Sequence, residues 1–235
     1  MVAFSGADPI GVLIGAKRPS GTLIHKVAVH PDYCRQGHGR HLLTSLSSKL
    51  AILGPPRMVA EVPETFATTC ALFSACGYSE EAVLTDYVLE GPVLSEHEFG
   101  EAGPMRVEGF VIPVTVDDLT ANGLLGEADP HVCWERSVET LTARKDDIAG
   151  LAVASDERIE AYLLYVPGEI VALRSFVEDG GARLTQLLAQ LRARGMRTVR
   201  FPKVHPEEIS KELLETLGFR PVGGHRRYAA KARSE

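Results

Sequence analysis

The chain has 235 residues with 25 basic and 31 acidic side chains, so its formal net charge is −6. This length suits one or two domains. Hydrophobic residues make up 45% and charged residues 24%, a globular balance that excludes a largely disordered chain. No segment is strongly basic, which leaves nucleic-acid binding without electrostatic support.

Targeting signals and metal motifs are not expected either. The sequence has no run of about 18 apolar residues and no signal-peptide pattern at its start, so neither a membrane span nor export is predicted. The four cysteines form no CxxC pair and no metal-ligand spacing. We therefore expect free thiols, no metal and a cytoplasmic location.

The first 90 residues alternate short apolar strands with two amphipathic helices. Leu42, Leu43, Leu46 and Leu50 recur at helical spacing and predict a helix over 38–53, which Gly54 and two prolines end. A second helix is predicted over 65–75. Apolar stretches between turn residues predict the strands 2–4, 9–16, 22–29, 58–62 and 82–90.

The second half repeats this order. Residues 2–4 align with 151–153 and residues 10–14 with 159–163 at a constant offset of 149, and later stretches follow in the same order. An ordered series of this kind predicts a tandem duplication. We expect domains at 1–90 and 107–235, with 91–106 as a linker.

The two copies differ at their front ends. Copy two is predicted to begin with a strand over 110–116 and helices over 117–126 and 132–148, and copy one has no counterpart to these elements. The predicted fold class is therefore α/β with mixed sheets, in two tandem copies of which the first lacks its initial strand and helices.

The most specific motif is the segment that follows the strand 22–29. A Gly-containing loop, Tyr33 to Arg40, leads directly into the leucine-rich helix. Glycines allow close backbone approach, and the first N–H groups of a helix have no internal partner, so the turn can bind a pyrophosphate. Arg35 and Arg40 add positive charge. A simple helix cap is the ordinary alternative.

This segment resembles the acetyl-CoA motif of the GNAT N-acetyltransferase superfamily, usually written Q/R-x-x-G-x-G/A. The similarity covers residues 1–90, including Phe73-x-x-x-Gly77-Tyr78, where the family often has Y-x-x-x-G-F. Residues 107–231 resemble the fold without the loop motif, because Glu178 and Asp179 stand where phosphates would bind. Cys34 stands where the motif has Gln or Arg.

The resemblance implies roles for individual residues. It implies that the pantetheine arm of acetyl-CoA pairs with the backbone of Val27 and Val29, which lie beside a gap between two splayed parallel strands. A backbone N–H near Val27 would stabilise the tetrahedral oxyanion. The pyrophosphate would be held by backbone N–H groups and positive charge in the loop, at Arg35, Gln36, Gly37, His38, Gly39 and Arg40.

A general base is needed because an amine acceptor is protonated at neutral pH. Strict alternation would place His25 on one face with Leu23 and Val27, and His25 falls where the similar arylalkylamine N-acetyltransferases carry a histidine base. A half-buried structural histidine is the alternative. Glu61 on the neighbouring strand is a second candidate, acting through water, unless it is merely solvated. Phe73 stands where many relatives have a tyrosine that acts as general acid and protonates the leaving thiolate.

The expected function is transfer of an acetyl group from acetyl-CoA to a primary amine of a small molecule, with the cofactor in copy one. A catalytically weak or inactive CoA-binding, regulatory protein is the alternative, since Phe73 and the missing front end weaken the catalytic reading. An interaction protein with two degenerate copies is a third possibility, against which the glycine loop argues. A homodimer is possible.

Overall fold

The computed structural model describes residues 1–91, 109–125 and 132–233. The predicted linker over 91–106 lies outside the described residues except at its first position. The described elements confirm the predicted duplication, because the order strand, strand, strand, helix, strand, helix, strand occurs twice. The strands are β1 Val2–Ser5, β2 Asp8–Arg18, β3 Gly21–Val29, β4 Arg57–Pro63, β5 Ser79–Glu90, β6 Phe110–Val114, β7 Ala149–Ala154, β8 Ile159–Val166, β9 Glu169–Ser175, β10 Thr198–Val204 and β11 Arg220–Lys231. The helices are α1 His38–Leu53, α2 Ala67–Ala75, α3 Val116–Ala121, α4 Val138–Ala143, α5 Ala182–Ala193 and α6 Lys211–Thr216.

Two compact units are present, and neither is one continuous stretch of sequence. Unit 1 comprises Met1–Val83 with Gly224–Glu235, and unit 2 comprises Leu84–Gly223. These bounds differ from the predicted domains at 1–90 and 107–235 for a topological reason. The end of copy one, in β5, pairs antiparallel with β10, whereas the end of copy two, in β11, pairs antiparallel with β4. Each unit thus contains the last strand of the other copy.

Unit 1 is a sheet in the order β1-β2-β3-β4-β11 with α1 and α2 packed on one face. The leucines that predicted α1 are all buried, and they contact Ile24, Met58 and Phe73 in one hydrophobic core. The predicted bounds of this helix are confirmed, because Gly37 precedes it in the left-handed region (φ 88°) and Gly54 ends it.

Unit 2 is a sheet in the order β5-β10-β9-β8-β7-β6 with a hydrophobic core on each face. One core forms around α5, and the other forms where α3 and α4 cover residues of β7, β8 and β9. Unit 1 has no counterpart of β6, α3 or α4 among its described residues, as the sequence predicts. The corresponding face of unit 1 therefore leaves Ile14 49% exposed.

The predicted helix over 132–148 is wrong. Only α4 is regular α-helix there, because Ser137 is extended (φ −63°, ψ 151°) and interrupts the segment. The preceding turn directs Arg136 inward, where its guanidinium donates to both carboxylate oxygens of Glu208 at 2.8 and 2.7 Å. Apolar spacing does not reveal a buried ion pair of this kind. Among the described helices, no helix combines the length and apolar character that a membrane span needs.

Candidate active site

A gap between β3 and β4 is the first feature of the site in unit 1. The two strands run parallel and pair only at Thr22 with Met58 and at Leu23 with Val59. Beyond this point β3 continues for six residues to Val29, a length of about 20 Å. β4 meanwhile pairs along its whole length with β11 on its other side. The strands therefore splay, and one edge of β3 is left to face the gap.

A β-bulge places His25 beside the start of this gap. Ile14 pairs with Lys26, and the next residue of β2, Gly15, pairs with Ile24, so His25 is the extra residue in β3. The predicted alternation is therefore wrong from His25 onward, since Ile24 and Val27 both pack on the helix-side core although they are three residues apart. The His25 side chain is exposed.

The equivalent bulge in unit 2 shows what covers this position in a complete copy. There Leu164 pairs with Ala172 and Tyr165 with Ile170, so Val171 is the extra residue. His25 thus corresponds to Val171. Val171 is 4% exposed and packs in the core beneath α3 and α4. His25 is exposed, and the described residues of unit 1 include no helices that correspond to α3 and α4.

The glycine loop forms an open anion-binding turn at the start of α1. Arg35 and Gly37 both have positive φ, at 64° and 88°, and His38 begins the helix. Within the described residues, no side chain caps this N-terminus and its first turn has no acidic residue. The first amides are thus free to donate to a ligand. Arg40 in this turn opposes the helix dipole, an arrangement that a bound anion would stabilise.

The rest of the loop is held by its own short contacts. The Gln36 amide donates to the carbonyl of Asp32 at 3.0 Å, and the Cys34 thiol lies 3.5 Å from the carbonyl of His30. Cys34 therefore braces the turn at the position where the motif has Gln or Arg. Gly39 faces α2, where a Cβ would meet Leu72 Cδ2 at 3.1 Å.

The matching helix of unit 2 is closed by its own carboxylate. The amides of Gly181 and Arg183 both donate to Asp179, at 3.0 Å each, and the Arg183 guanidinium donates to the same carboxylate at 2.9 Å. The donors that would bind a phosphate are therefore occupied at α5. Asp179 therefore occupies the position at which a phosphate would bind, as its place in the sequence suggests.

Glu61 is buried in an ion pair rather than solvated. It lies directly opposite Arg227 of β11, with its Oε1 3.3 Å from the guanidinium Nη2, and its side chain is only 2% exposed. The Glu61 carboxylate is therefore paired with a cation inside the protein and is not a solvent-facing group at a strand edge. The sequence could not show the pair, because its members are 166 residues apart.

The aromatic residues near α2 are packed in the core. Phe73 is 1% exposed and meets Tyr78 edge to face at a centroid distance of 5.0 Å. The Tyr78 hydroxyl donates to Met58 Sδ at 3.5 Å, and burial raises the pKa of Tyr78. Neither residue is set up to protonate a ligand in the gap. Tyr228, which sequence reasoning missed, stacks on Phe73 at 5.8 Å.

A cavity of about 320 Å³ lies between α1, the end of α2 and the end of β11. Ser47, Cys76, Lys231 and Arg233 are among its lining residues, so part of its wall is basic. Arg40 in the first turn of α1 interacts with Cys76, one of its lining residues. Burial raises the pKa of the Cys76 thiol, and Arg40 partly offsets this.

Comparison with known proteins finds similarity to acetyltransferases. Residues 1–78, about a third of the chain, match the model of the Acetyltransferase (GNAT) family. A 64-residue stretch is 36% identical to the [ribosomal protein bS18]-alanine N-acetyltransferase of Escherichia coli (strain K12). That match covers 27% of this chain and 43% of the relative, so the chain spans less than half the length of the curated relatives it matches.

Solved structures extend the likeness to the fold of the whole chain. A tandem GNAT protein from the clavulanic acid biosynthesis pathway is 17% identical with a TM-score of 0.61, over 100% of this chain and 82% of its own. A GCN5-related N-acetyltransferase from Sphaerobacter thermophilus is 13% identical with a TM-score of 0.65, over 97% and 78%. At these identities the likeness shows the fold alone. The resemblance to the GNAT superfamily and the tandem GNAT-like fold are thus confirmed.

Proposed function

We propose that the protein is an acetyl-CoA-dependent N-acetyltransferase that binds its cofactor in unit 1 and acetylates a primary amine. The observation that carries this proposal is the contrast between the two helix N-termini. α1 begins beside a strand gap with free amides and two arginines, whereas Asp179 occupies the corresponding amides of α5. Unit 2 is then a scaffold without a cofactor of its own.

The fit to acetyl-CoA rests on three consecutive features of unit 1. The amides of residues 36–40, with Arg35 and Arg40, suit a pyrophosphate. The edge of β3 at Val27 and Val29 offers backbone groups to the amides of a pantetheine arm. The cavity lined by Lys231 and Arg233 suits the phosphorylated nucleoside end of the cofactor.

His25 is the proposed general base. It is exposed on a bulge beside the gap, and an imidazole can accept a proton near neutral pH. Glu61 is the second candidate, and its ion pair with Arg227 argues against it. An amide of β3 near Val27 would stabilise the oxyanion.

The acceptor is proposed to be a small primary amine, and the location cytoplasmic. The curated relative acts on an alanine of a ribosomal protein, so a peptide amine belongs in the same test. A CoA-binding protein without turnover is the second candidate function. It is favoured by Phe73, which stands where many relatives carry a proton donor.

The test is an acetyl-transfer assay with acetyl-CoA, a panel of small amines and a peptide with a free N-terminal alanine. We expect turnover with at least one amine and a loss of about 10²-fold in kcat for His25→Gln, because general-base catalysis contributes at least that much. Acetyl-CoA affinity should be unchanged. Lys26→Gln is the matched control, since it alters a neighbouring exposed basic residue. Acetyl-CoA binding without turnover on the whole panel would favour the second candidate.

A further inference from the structure

The structure places one phenol beside the closed end of the strand gap. Tyr228 of β11 lies directly opposite Ala60 of β4. Ala60 is the residue after Val59, where the pairing between β3 and β4 ends. Directly opposite residues share a face of the sheet, so Tyr228 lies one strand away from the gap, on the face where β4 carries the small residue Ala60.

Tyr228 also contacts Phe73, the residue that stands where many relatives have a tyrosine as proton donor. Its ring stacks on Phe73 with a centroid distance of 5.8 Å and an interplanar angle of 15°. Its hydroxyl interacts with the side chains of Cys70 and Ser74, which flank Phe73 on α2. β11 thus supplies a hydroxyl to the part of α2 where Phe73 has none.

We propose that Tyr228 donates the proton that the leaving thiolate of acetyl-CoA takes up. This inference rests on the proposed acetyltransferase function. The acceptor ammonium gives one proton to His25, and the freed amine nitrogen forms a bond to the thioester carbonyl carbon while the carbonyl π pair moves to oxygen. The nitrogen then loses its second proton to solvent, and the oxygen pair re-forms the carbonyl. In the same step the carbon–sulfur bond breaks, and its electron pair stays on sulfur, which takes the Tyr228 proton. The phenolate regains a proton from solvent, so the products are the amide, the free thiol and one released proton.

The surroundings of Tyr228 suit this role. Burial raises the pKa of Tyr228, and the Cys70 contact raises it further, against a lowering by Ser74. The phenol is therefore protonated at neutral pH. Ser74 is exposed, so its hydroxyl links the otherwise buried phenol to solvent for reprotonation.

Tyr228→Phe tests the proposal, because it removes only the hydroxyl and keeps the stacked ring. We expect kcat to fall at least tenfold while the KM for acetyl-CoA and the melting temperature stay within error. Tyr78→Phe is the matched control, since it removes a second buried phenol from the same core and should leave kcat unchanged. The double variant Phe73→Tyr/Tyr228→Phe should recover part of the lost kcat, because it returns a hydroxyl to the neighbouring ring.

The outcomes separate this inference from the proposed function. An active wild type whose kcat survives Tyr228→Phe overturns the proton-donor role and leaves the acetyltransferase intact. A kcat loss that follows a drop in melting temperature, with no recovery in the double variant, also overturns it as a purely structural effect. Absence of turnover in the wild type would refute the proposed function, and this inference with it.

Discussion

Replacing Arg35 by aspartate should weaken acetyl-CoA binding without unfolding unit 1. Arg35 is exposed and has a φ of 64°, and Asp and Asn are among the few residues that tolerate this region. A carboxylate near the start of α1 is also favourable to the helix by about 0.3–1 kcal/mol. Stability should therefore be unchanged or slightly higher, whereas a merely disruptive substitution would lower both stability and affinity.

The size of the effect follows from the charge. At about 5 Å and an effective dielectric constant of about 40, one unit charge interacts with another by about 1.7 kcal/mol. Arg35→Asp replaces an attraction by a repulsion, a change of about 3 kcal/mol, or roughly 10²-fold in affinity. Arg35→Asn removes the attraction alone and should weaken binding by about tenfold.

The assay is calorimetric titration of acetyl-CoA into the wild type and both variants, at low salt and at about 1 M salt. The difference between Asp and Asn should shrink at high salt, where the Debye length is only about 3 Å. Equal affinities of the Asp and Asn variants at low salt would refute the assignment of a bound anion to this loop.

Three further predictions concern stability. Asp179→Ala should lower the free energy of unfolding by about 1 kcal/mol, because it removes the side-chain acceptor of two amides at the start of α5. Acetyl-CoA affinity should stay unchanged; denaturant melts and titration check both. Gly150→Ala should destabilise by about 1–3 kcal/mol in a urea melt, since its Cβ would lie 2.5 Å from the Val114 carbonyl; an unchanged midpoint would contradict this packing. The side-chain hydrogen bond from Thr115 lowers the pKa of Asp118, with a backbone hydrogen bond assisting. The stabilisation that this hydrogen bond gives the folded protein is complete above the ordinary carboxyl pKa and is lost as the pH falls through the lowered pKa of the folded state. Thr115→Val removes the hydroxyl donor and should raise the Asp118 pKa in an NMR titration.

Local patterns predicted much of the fold. The spacing of the α1 leucines and the flanking glycines marked both ends of that helix, because periodicity and caps are properties of the nearby sequence. The repeat offset indicated the duplicated order of elements. The exchange of the last strands between the two copies could not be predicted. The local sequence of β5 and β11 does not show which copy each strand pairs with, because that choice depends on long-range packing.

The sequence indicates part of the geometry around the predicted site residues. The anion-binding turn at Gly37 follows from its motif, and its geometry suits that role. The bulge at His25 was missed because strict alternation cannot show an inserted residue. For Glu61 the sequence leaves open a base acting through water or a merely solvated carboxylate, and its partner Arg227 is found only from the pairing of β4 with β11. Tyr228 was missed for the same reason.

The most direct test of the account is the stoichiometry of acetyl-CoA binding to the wild-type chain by calorimetry. The account predicts one site per chain, because the amides at the start of α1 are open and those at α5 are occupied by Asp179. Two sites per chain would contradict the conclusion that Asp179 blocks the amides at the start of α5. The absence of any binding would contradict the account as a whole.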